Sequence, residues 1–467
     1  MGDSLIRSIS GVRGVVGKSL LPNVIINHIC AFAKLLESKH YNQKQKRIVV
    51  GRDSRVSGPW VEMLVNGSLI ASGYEVIHIG IASTPTVQFM VQQTQASGGI
   101  VITSSHNPIQ WNGLKFVGPD GLFIEPKSCD ILFSYADYPN GFDFSSYSHQ
   151  GSITTKEVAN TLHIEKILSL PFIDVAKIKS KQYTVALDSV NGAGGPIMTA
   201  LLGQLGCKII GLNLEPTGVF AHTPEPVPAN LGQLCELVKK EKADFGIAVD
   251  PDVDRCVLID ETGTPVGEEY TLAFAVELLL GDCGRKGYVC KNLSSSRVVD
   301  DICKKYGSQV VCTPVGEIQV AKKMEELKAI IGGEGNGGVM LPDIHIGRDA
   351  PVAAALILQL FANRGFKKMS ELKASLPQYE IVKLKAGIEG LDPDRILQDY
   401  KTQYRGKEGV EINEEDGLKI DAPEWWVHLR KSNTEHIIRV ISESKTVEQA
   451  TEIAQKFIDE IESKRSK

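Results

Sequence analysis

Apolar runs of strand length alternate with stretches of helical length through most of this chain, and the alternation repeats. An apolar run closes in a polar or Gly-rich loop at Arg47-Ile48-Val49-Val50-Gly51-Arg52-Asp53-Ser54. The same happens at Tyr183-Thr184-Val185-Ala186-Leu187-Asp188-Ser189-Val190-Asn191-Gly192 and at Gly287-Tyr288-Val289-Cys290-Lys291-Asn292-Leu293-Ser294-Ser295. Each run is followed by a helical segment and a second predicted strand: Tyr74 to Ile79, Cys207 to Leu212, and Ser308 to Cys312. Another helical stretch comes next, clearest from Leu231 to Lys242 and from Gly316 to Leu327. A third strand then ends in an unusual loop. The three loops are Ser104-Ser105-His106-Asn107-Pro108, Asp250-Pro251-Asp252-Val253-Asp254-Arg255, and Gly333-Glu334-Gly335-Asn336-Gly337-Gly338. Such alternation predicts parallel α/β sheets, whose ligands bind beyond the carboxyl ends of the strands. Turn punctuation accounts for Gly and Ser in one loop, but not for odd chemistry at the third strand of every repeat. The expectation is therefore that the three loops wall one shared cleft.

After about residue 375 the pattern changes. Short strands at close spacing are predicted at Val410 to Asn413, Leu418 to Asp421, Trp425 to Leu429 and Ile437 to Ser442, with an amphipathic helix from Val447 to Ile461. This reads as an α+β domain joined through Ser375-Leu376-Pro377. Between two of its strands lies Arg430-Lys431-Ser432-Asn433-Thr434-Glu435, with Arg439 just inside the next strand. Hydroxyls, backbone N–H groups and guanidinium at a hairpin tip suit a dianionic phosphate; taken by itself, the segment reads more simply as a polar turn.

The aspartate loop carries the strongest chemical signal. Phe245-Gly246-Ile247-Ala248-Val249 reads as a short buried strand, so Asp250, Asp252 and Asp254 stand where it ends. Two carboxylates at ~4 Å repel by roughly 4 kcal/mol at an effective dielectric near 20, so the cluster calls for a cation. All-oxygen donors without Cys or His favour a hard ion, Mg²⁺ before Mn²⁺ or Ca²⁺. A solvated acidic turn is the plain alternative. An EF-hand is excluded: Arg255 occupies its obligatory Gly position and Cys256-Val257-Leu258-Ile259 is a strand-like run. From this segment alone, Asp250 as a phosphoryl-accepting nucleophile stays open.

Val101-Ile102-Thr103-Ser104-Ser105-His106-Asn107-Pro108 reads as a strand running into a turn. A serine here can be an N-cap; a functional one needs activation or prior phosphorylation. His106 suggests a Ser–His pair, although adjacent residues rarely aim at each other, and no Gly-x-Ser-x-Gly elbow surrounds it. A phosphorylated serine facing the aspartates accounts for both loops, since the phosphate brings roughly two negative charges and a further oxygen ligand.

Composition narrows the class. The chain has 467 residues, 42% apolar and 23% charged, with a net charge of −5. That is the profile of a soluble globular protein of several domains, with no electrostatic case for nucleic acid or a membrane surface. No apolar stretch reaches the ~20 residues of a membrane span. The first residues lack a signal-peptide core, and Ile6 breaks a myristoylation pattern. Nine cysteines scattered singly point to reduced thiols in a cytoplasm.

Thr-Ser-Ser-His-Asn-Pro, Asp-Pro-Asp-Val-Asp-Arg, Gly-Glu-Gly-Asn-Gly-Gly and Arg-Lys-Ser-Asn-Thr-Glu, in that order, resemble the four signatures of the α-D-phosphohexomutases. Ser10-Gly11-Val12-Arg13-Gly14, Gly51-Arg52-Asp53-Ser54-Arg55 and Asn112-Gly113-Leu114-Lys115 agree with the same family. The resemblance spans essentially the whole chain. It implies a four-domain, heart-shaped molecule with its active site in the central cleft: three related mixed α/β domains and a C-terminal α+β domain. The boundaries expected here are 1–152 with the phosphoserine loop, 153–264 with the metal loop, 265–374 with the sugar loop, and 375–467 with the phosphate loop.

Carried over residue by residue, the resemblance makes Ser105 the phosphoserine, with Asp250, Asp252 and Asp254 joining it as Mg²⁺ ligands. Arg255 would order the metal loop. Arg13 and Lys115 would steady the transferring phosphate, with His106 beside the serine. Glu334 and Asn336 would hold sugar hydroxyls; Arg430, Ser432, Asn433, Thr434 and Arg439 would grip the phosphate that does not react. The implied reaction interconverts hexose 6-phosphate and hexose 1-phosphate through a bound hexose 1,6-bisphosphate. The implied partner is a small phosphosugar, on a cytoplasmic monomer or homodimer that engages neither nucleic acid nor membrane. Asn336 and Gly338 stand where many relatives have Ser and His, and Lys431, Asn433 and His436 where Pro, Gly and Pro are common. Asn336 and its Gly-Gly edge resemble the sugar loops of bacterial and archaeal phosphoglucosamine mutases, so glucosamine phosphate is the expected substrate. Phosphomannomutase and phosphoglucomutase are the alternatives. A metal-dependent sugar phosphatase would use the same aspartates and release inorganic phosphate. A non-catalytic sensor would lose Ser105 or the aspartates, and both are present.

Overall fold

One strand order recurs three times along the chain. In the computed structural model, which describes residues 5–432 and 436–464, strand Arg47–Arg52 lies between Glu75–Ile81 and Gly98–Ile102, parallel to both. Thr184–Asp188 lies likewise between Lys208–Leu212 and Phe245–Val249. Tyr288–Asn292 lies between Gln309–Thr313 and Ile331–Glu334. Each repeat thus places its third strand beside its first, and each third strand carries a chemically unusual loop at its carboxyl end. The repeats expected from the apolar pattern are present with matching topology, as parallel crossovers through helices require.

These elements assemble into two compact units. One comprises the residues up to Gly284 together with Asn336–Leu372; the other comprises Arg285–Gly335 and the residues from Lys373 onward. Residues expected in the third domain therefore divide between the units.

In the first unit the parallel strands are extended by antiparallel ones. Trp111–Val117 pairs with Gly98–Ile102, and Gly11–Val15 pairs with Trp111–Val117 in a register that sets Arg13 opposite Gly113. A second sheet runs Cys256–Ile259, Phe245–Val249, Thr184–Asp188, Lys208–Leu212. Phe245–Val249 is buried at every residue, which is why it reads as an unbroken apolar run. Helix Ala350–Arg364 is capped by Asp349, whose side chain accepts from the Val352 N–H, carries Pro near its start, and ends at left-handed Gly365. It is hydrophobic nearly all round because it is buried nearly throughout.

The second unit holds the three parallel strands of the third repeat and a five-stranded antiparallel sheet. That sheet runs Glu380–Gly387, Ile437–Ser444, Trp426–Lys431, Leu418–Asp421, Glu411–Asn413. Its first strand, Glu380–Gly387, follows the linker Ser375-Leu376-Pro377 and is not among the strands the apolar spacing predicts. One face buries Ala386, Ile438, Val440, Val427, Leu429 and Ile420 with Tyr400 and Phe457 from helices Pro393–Tyr404 and Val447–Ser463. Full burial of each large apolar side chain contributes roughly 1.5–3 kcal/mol, so this layer fixes which face of every strand is left for polar residues.

All nine cysteines are free thiols. Among the described residues, no helix is long and apolar enough to cross a membrane.

Candidate active site

The serine loop is held by groups buried beneath it. Thr103 donates its hydroxyl to Asp53 Oδ2 at 2.6 Å and accepts from the Ser105 N–H at 2.9 Å. Arg55, fully buried, spends its guanidinium on the loop's backbone. It donates to the carbonyls of Ser105 and Asn107 at 2.7 Å and of Pro108 and Trp111 at 2.8 Å, while its Nε pairs with Asp53 Oδ2 at 3.1 Å. These fixed carbonyls let Ser105 keep a left-handed backbone at φ 49°, a conformation that costs an L-residue roughly 1–2 kcal/mol. The turn directs Oγ toward the second sheet, 3.3 Å from Asp250 Oδ2.

His106 Nδ1 lies 3.2 Å from the same hydroxyl, so these adjacent residues do face each other, contrary to the expectation from sequence. The left-handed turn at Ser105 is the reason: it folds the serine side chain back toward its neighbour. Burial, then the charges of Arg255 and Arg13, lower the His106 imidazole to about 2, although its side chain is still 30% exposed. The neutral ring is the form the site favours.

Asp250, Asp252 and Asp254 are completely buried; Asp250 is engaged at both carboxylate oxygens, Asp252 and Asp254 at one each. Asp250 Oδ1 accepts from the N–H groups of Asp254 and Arg255 at 3.1 and 3.2 Å. Asp252 Oδ2 accepts from Thr84 Oγ1 and Lys115 Nζ, both at 2.6 Å. Asp254 Oδ2 accepts from Arg348 Nη2 at 2.6 Å and Lys115 Nζ at 3.4 Å. Among the described residues, no hydrogen-bond donor reaches Asp252 Oδ1 or Asp254 Oδ1, although both are buried. An unsatisfied buried carboxylate oxygen is costly, and the three side chains can each offer an oxygen within 4.8 Å of the others. The donor set is all-oxygen and fits a hard divalent cation.

Electrostatics point the same way. Burial, then the charges on Asp254 and Asp252, push the Asp250 carboxyl well above the usual carboxylate range. Burial also opposes ionisation of Asp252, but the charge and hydrogen bond of Lys115, with the Thr84 hydroxyl, outweigh it and hold the group low. The cluster cannot carry three charges at ease without added positive charge. The loop itself is strained: Val253, a β-branched residue, sits at φ 63°, a backbone outlier of the kind found at functional sites.

The elements that deliver these partners are specific. Arg13, on Gly11–Val15, reaches Asn107 Oδ1 with Nη1 at 3.1 Å. Across the strand pair, a Cβ on Gly113 would lie 2.5 Å from the Val12 carbonyl and 3.0 Å from Arg13 Cγ, so only glycine admits this close approach. Lys115, two residues on, is buried and aimed at the aspartates. Ser83 caps helix Thr84–Thr94, which presents Thr84 at its first turn. Arg255 pairs with Glu225 at 3.5 Å and stands 3.8 Å from Asp254 Oδ1. Thr84 and Arg348 were missed from sequence. Neither lies in a loop with an unusual composition, and only the packing reveals what they touch.

Another group of metal-ligand composition, His163, His345 and Asp349, lies buried in the same unit. Both imidazole Nε2 atoms stand 2.8–2.9 Å from Asp349 Oδ2, and Thr86 Oγ1 meets His163 Nδ1 at 3.0 Å. With Asp349 Oδ1 capping helix Ala350–Arg364, this is a polar network that anchors the start of that helix.

In the second unit, Glu334 Oε1 accepts from Asn292 Nδ2 at 2.8 Å and from the Gly316 N–H at 3.1 Å. Arg430 Nε pairs with Asp416 Oδ2 at 2.8 Å, and that oxygen also accepts from the Val315 N–H at 2.8 Å. The expected sugar and phosphate residues are thereby tied through one turn, residues 315–316. Ser432 closes the hairpin base through its N–H to Ile437 O at 3.0 Å. Arg439 is exposed on its strand, opposite Arg430 and Lys385. Asn433 and Thr434 lie outside the described residues. Asn336 belongs to the first unit, where its Oδ1 accepts from the Gly338 N–H at 3.2 Å.

Four family models cover the chain in order: phosphoglucomutase/phosphomannomutase alpha/beta/alpha domain I over residues 5–136, domain II over 161–263, domain III over 267–379, and the C-terminal domain over 379–460. The chain belongs to the α-D-phosphohexomutase family. This phosphohexomutase is 37% identical over 443 residues to a phosphoglucomutase/phosphomannomutase of Thermococcus kodakarensis, covering 95% of each chain. It is 33% identical over 461 residues to a phosphoglucosamine/phosphogalactosamine mutase of Sulfurisphaera tokodaii, covering 97% of this chain and 98% of that one. The crystal structure of a phosphoglucomutase/phosphomannomutase family protein from Burkholderia thailandensis matches its fold with a TM-score of 0.81, at 23% identity and 98% coverage of both chains. The phosphohexomutase is accordingly an isomerase of phosphosugars with the four-domain α/β architecture of its family.

Proposed function

We propose that this phosphohexomutase converts glucosamine 6-phosphate to glucosamine 1-phosphate through phosphorylated Ser105 and a bound glucosamine 1,6-bisphosphate. The observation that carries the mechanism is the Ser105 hydroxyl, 3.3 Å from Asp250 at the mouth of a buried aspartate cluster on a different sheet. In the forward direction phosphoserine 105 gives its phosphoryl group to the sugar O1, and the proton of that hydroxyl leaves to a nearby base. The bisphosphate then turns over, and its 6-phosphate returns to the Ser105 oxygen. A Mg²⁺ held by Asp250, Asp252, Asp254 and a phosphoserine oxygen would spread negative charge from the transferring group.

The chain's own residues do the rest. Arg55 and Asp53 hold the serine turn, Arg13 and Lys115 bring positive charge to the transferring phosphoryl, and Arg255 orders the metal loop. His106, held neutral by burial and the neighbouring guanidinium charges, acts beside the serine oxygen as a hydrogen-bonding partner that positions it. Glu334 and Asn336 take sugar hydroxyls. Arg430, Ser432, Asn433, Thr434 and Arg439 hold the phosphate that does not react, and can release and regrip it while the sugar turns.

The glucosamine assignment is supported by the Asn336-Gly337-Gly338 loop and by the name of the Sulfurisphaera relative. The name of the Thermococcus relative favours mannose or glucose phosphates as a second reading. The test compares kcat/KM on glucosamine, mannose and glucose 6-phosphates, each with its 1,6-bisphosphate supplied. Preference for glucosamine 6-phosphate by about tenfold or more is expected; an equal margin for another sugar transfers the assignment to it. Release of inorganic phosphate in place of 1-phosphate formation would sink the mutase reading.

A further inference from the structure

Gly338 and Arg348 compete for one volume. A Cβ built on Gly338 would lie 2.3 Å from Arg348 Cδ and 2.8 Å from its Cγ. Those atoms belong to the middle of the arginine side chain, so relief would require rerouting the whole group. Its backbone is not free to retreat: the Asp349 N–H donates to Val339 O at 2.9 Å, and the Asp349 side chain caps the helix that follows. By passing through the space above Gly338, Arg348 reaches Asp254 Oδ2 at 2.6 Å while remaining only 8% exposed. That bond commits Asp254 Oδ2; among the described residues no hydrogen-bond donor meets the buried Oδ1, which has the Arg255 guanidinium 3.8 Å away, and Asp254 offers an oxygen within 4.8 Å of oxygens of Asp250 and Asp252.

We propose that Arg348 is a positioning residue that orients Asp254 for cation binding, and that residue 338 is glycine because any side chain there would push Arg348 off the carboxylate. The proposal rests on the reading of the three aspartates as metal ligands. Partners that orient a ligand by its second atom are commonly worth ~10–100-fold in metal affinity. Arginine suits the task, since its planar donors hold a carboxylate in one orientation, whereas a lysine offers a point charge.

The experiment measures Mn²⁺ binding to the substrate-free, chelator-stripped full chain by electron paramagnetic resonance, for wild type, Arg348→Met, Arg348→Lys, Gly338→Ala and the Gly338→Ala/Arg348→Met double variant. The dissociation constant should rise at least about tenfold in Arg348→Met, with partial recovery in Arg348→Lys. Gly338→Ala should reproduce the loss, and the double variant should be no worse than either single change, because both remove the same contact. In assays the loss should fall on kcat, with KM for the sugar phosphate within about threefold of wild type. Additive losses in the double variant, or a Mn²⁺ affinity within about twofold of wild type in Arg348→Met, would overturn the proposal while leaving the metal reading intact. Failure of the wild type to bind Mn²⁺ would overturn both.

Discussion

Lys385 stands directly opposite Arg439 in the C-terminal sheet, and Arg439 stands directly opposite Arg430 on the next strand. Residues paired in this way share a face, so three cations lie in a row across three strands, and Arg430 at one end pairs with Asp416, whose carboxylate also accepts from the Val315 N–H. Like charges directly opposite destabilise a sheet by roughly 0.2–1 kcal/mol, and a dianionic phosphate relieves that repulsion. Lys385→Ala should therefore raise KM for the sugar phosphate by about tenfold with little change in kcat. The same variant, without ligand, should keep its stability within about 0.5 kcal/mol of wild type, as an exposed surface change does. A rise in KM accompanied by a clear loss of unliganded stability would show that Lys385 serves the fold instead.

Ser105 carries a backbone conformation that glycine adopts at no steric cost. Ser105→Gly is expected to stabilise the first unit by about 1 kcal/mol and to remove nearly all turnover. Ser105→Ala should lose activity equally without that gain. Urea unfolding and a coupled assay decide the matter; turnover close to wild type in either variant would end the role assigned to this serine.

Arg55 makes five side-chain hydrogen bonds, four of them to carbonyls of the serine turn and its flank. A lysine has one head group and cannot serve that fork. It would leave Asp53 incompletely paired inside the protein, where losing a partner costs about 3–5 kcal/mol. Arg55→Lys should accordingly lower both stability and kcat, whereas the exposed pair Arg7–Asp137 should tolerate Arg7→Lys with little change in either.

Two buried histidines set an acid limit. Burial lowers His28 to about 4, against its bond to the Val24 carbonyl. Burial likewise lowers His428 to about 4, although its bond to the Asp416 carbonyl resists this. His428 Nδ1 also faces the Ser294 hydroxyl at 2.8 Å. Each ring is neutral in the fold and takes a proton near 6.5 when unfolded. The unfolded chain therefore binds more protons between about pH 6.5 and 4, and stability falls as pH drops through that window. Between pH 7.5 and 5 the loss should be about 2 kcal/mol per histidine. His28→Gln should remove about 2 kcal/mol of the first unit's acid-side loss, leaving the share due to His106, and His428→Gln about as much from the second; unchanged profiles would contradict the neutral assignment.

Periodicity exposed the repeated strands because their signal is local: Phe245–Val249 and Cys256–Ile259 occur as read, and helix Val447–Ser463 begins where its apolar stripe begins. Two strands that build the site left weaker traces. Trp111–Val117 is buried at every position, yet it includes Asn112 and Lys115, so its polar residues break the apolar pattern. Glu380–Gly387 does alternate, with Val382, Leu384 and Ala386 separated by Lys383 and Lys385, but its lysines and its place just after the linker mask the apolar pattern. The facing of His106 and Ser105 depended on a left-handed backbone that composition does not announce.

What the sequence determined by itself was the sheet class, the three chemically odd loops and the order of motifs that mark the family, all encoded within short windows of chain. Tertiary structure alone decided which oxygen of Asp252 and of Asp254 is engaged by the protein, that Thr84 and Arg348 join Lys115 in engaging them, and that a glycine ten residues before Arg348 clears its path. Those facts arise where distant segments meet, and the direction of a side chain across such a meeting is set by packing, which no local pattern records.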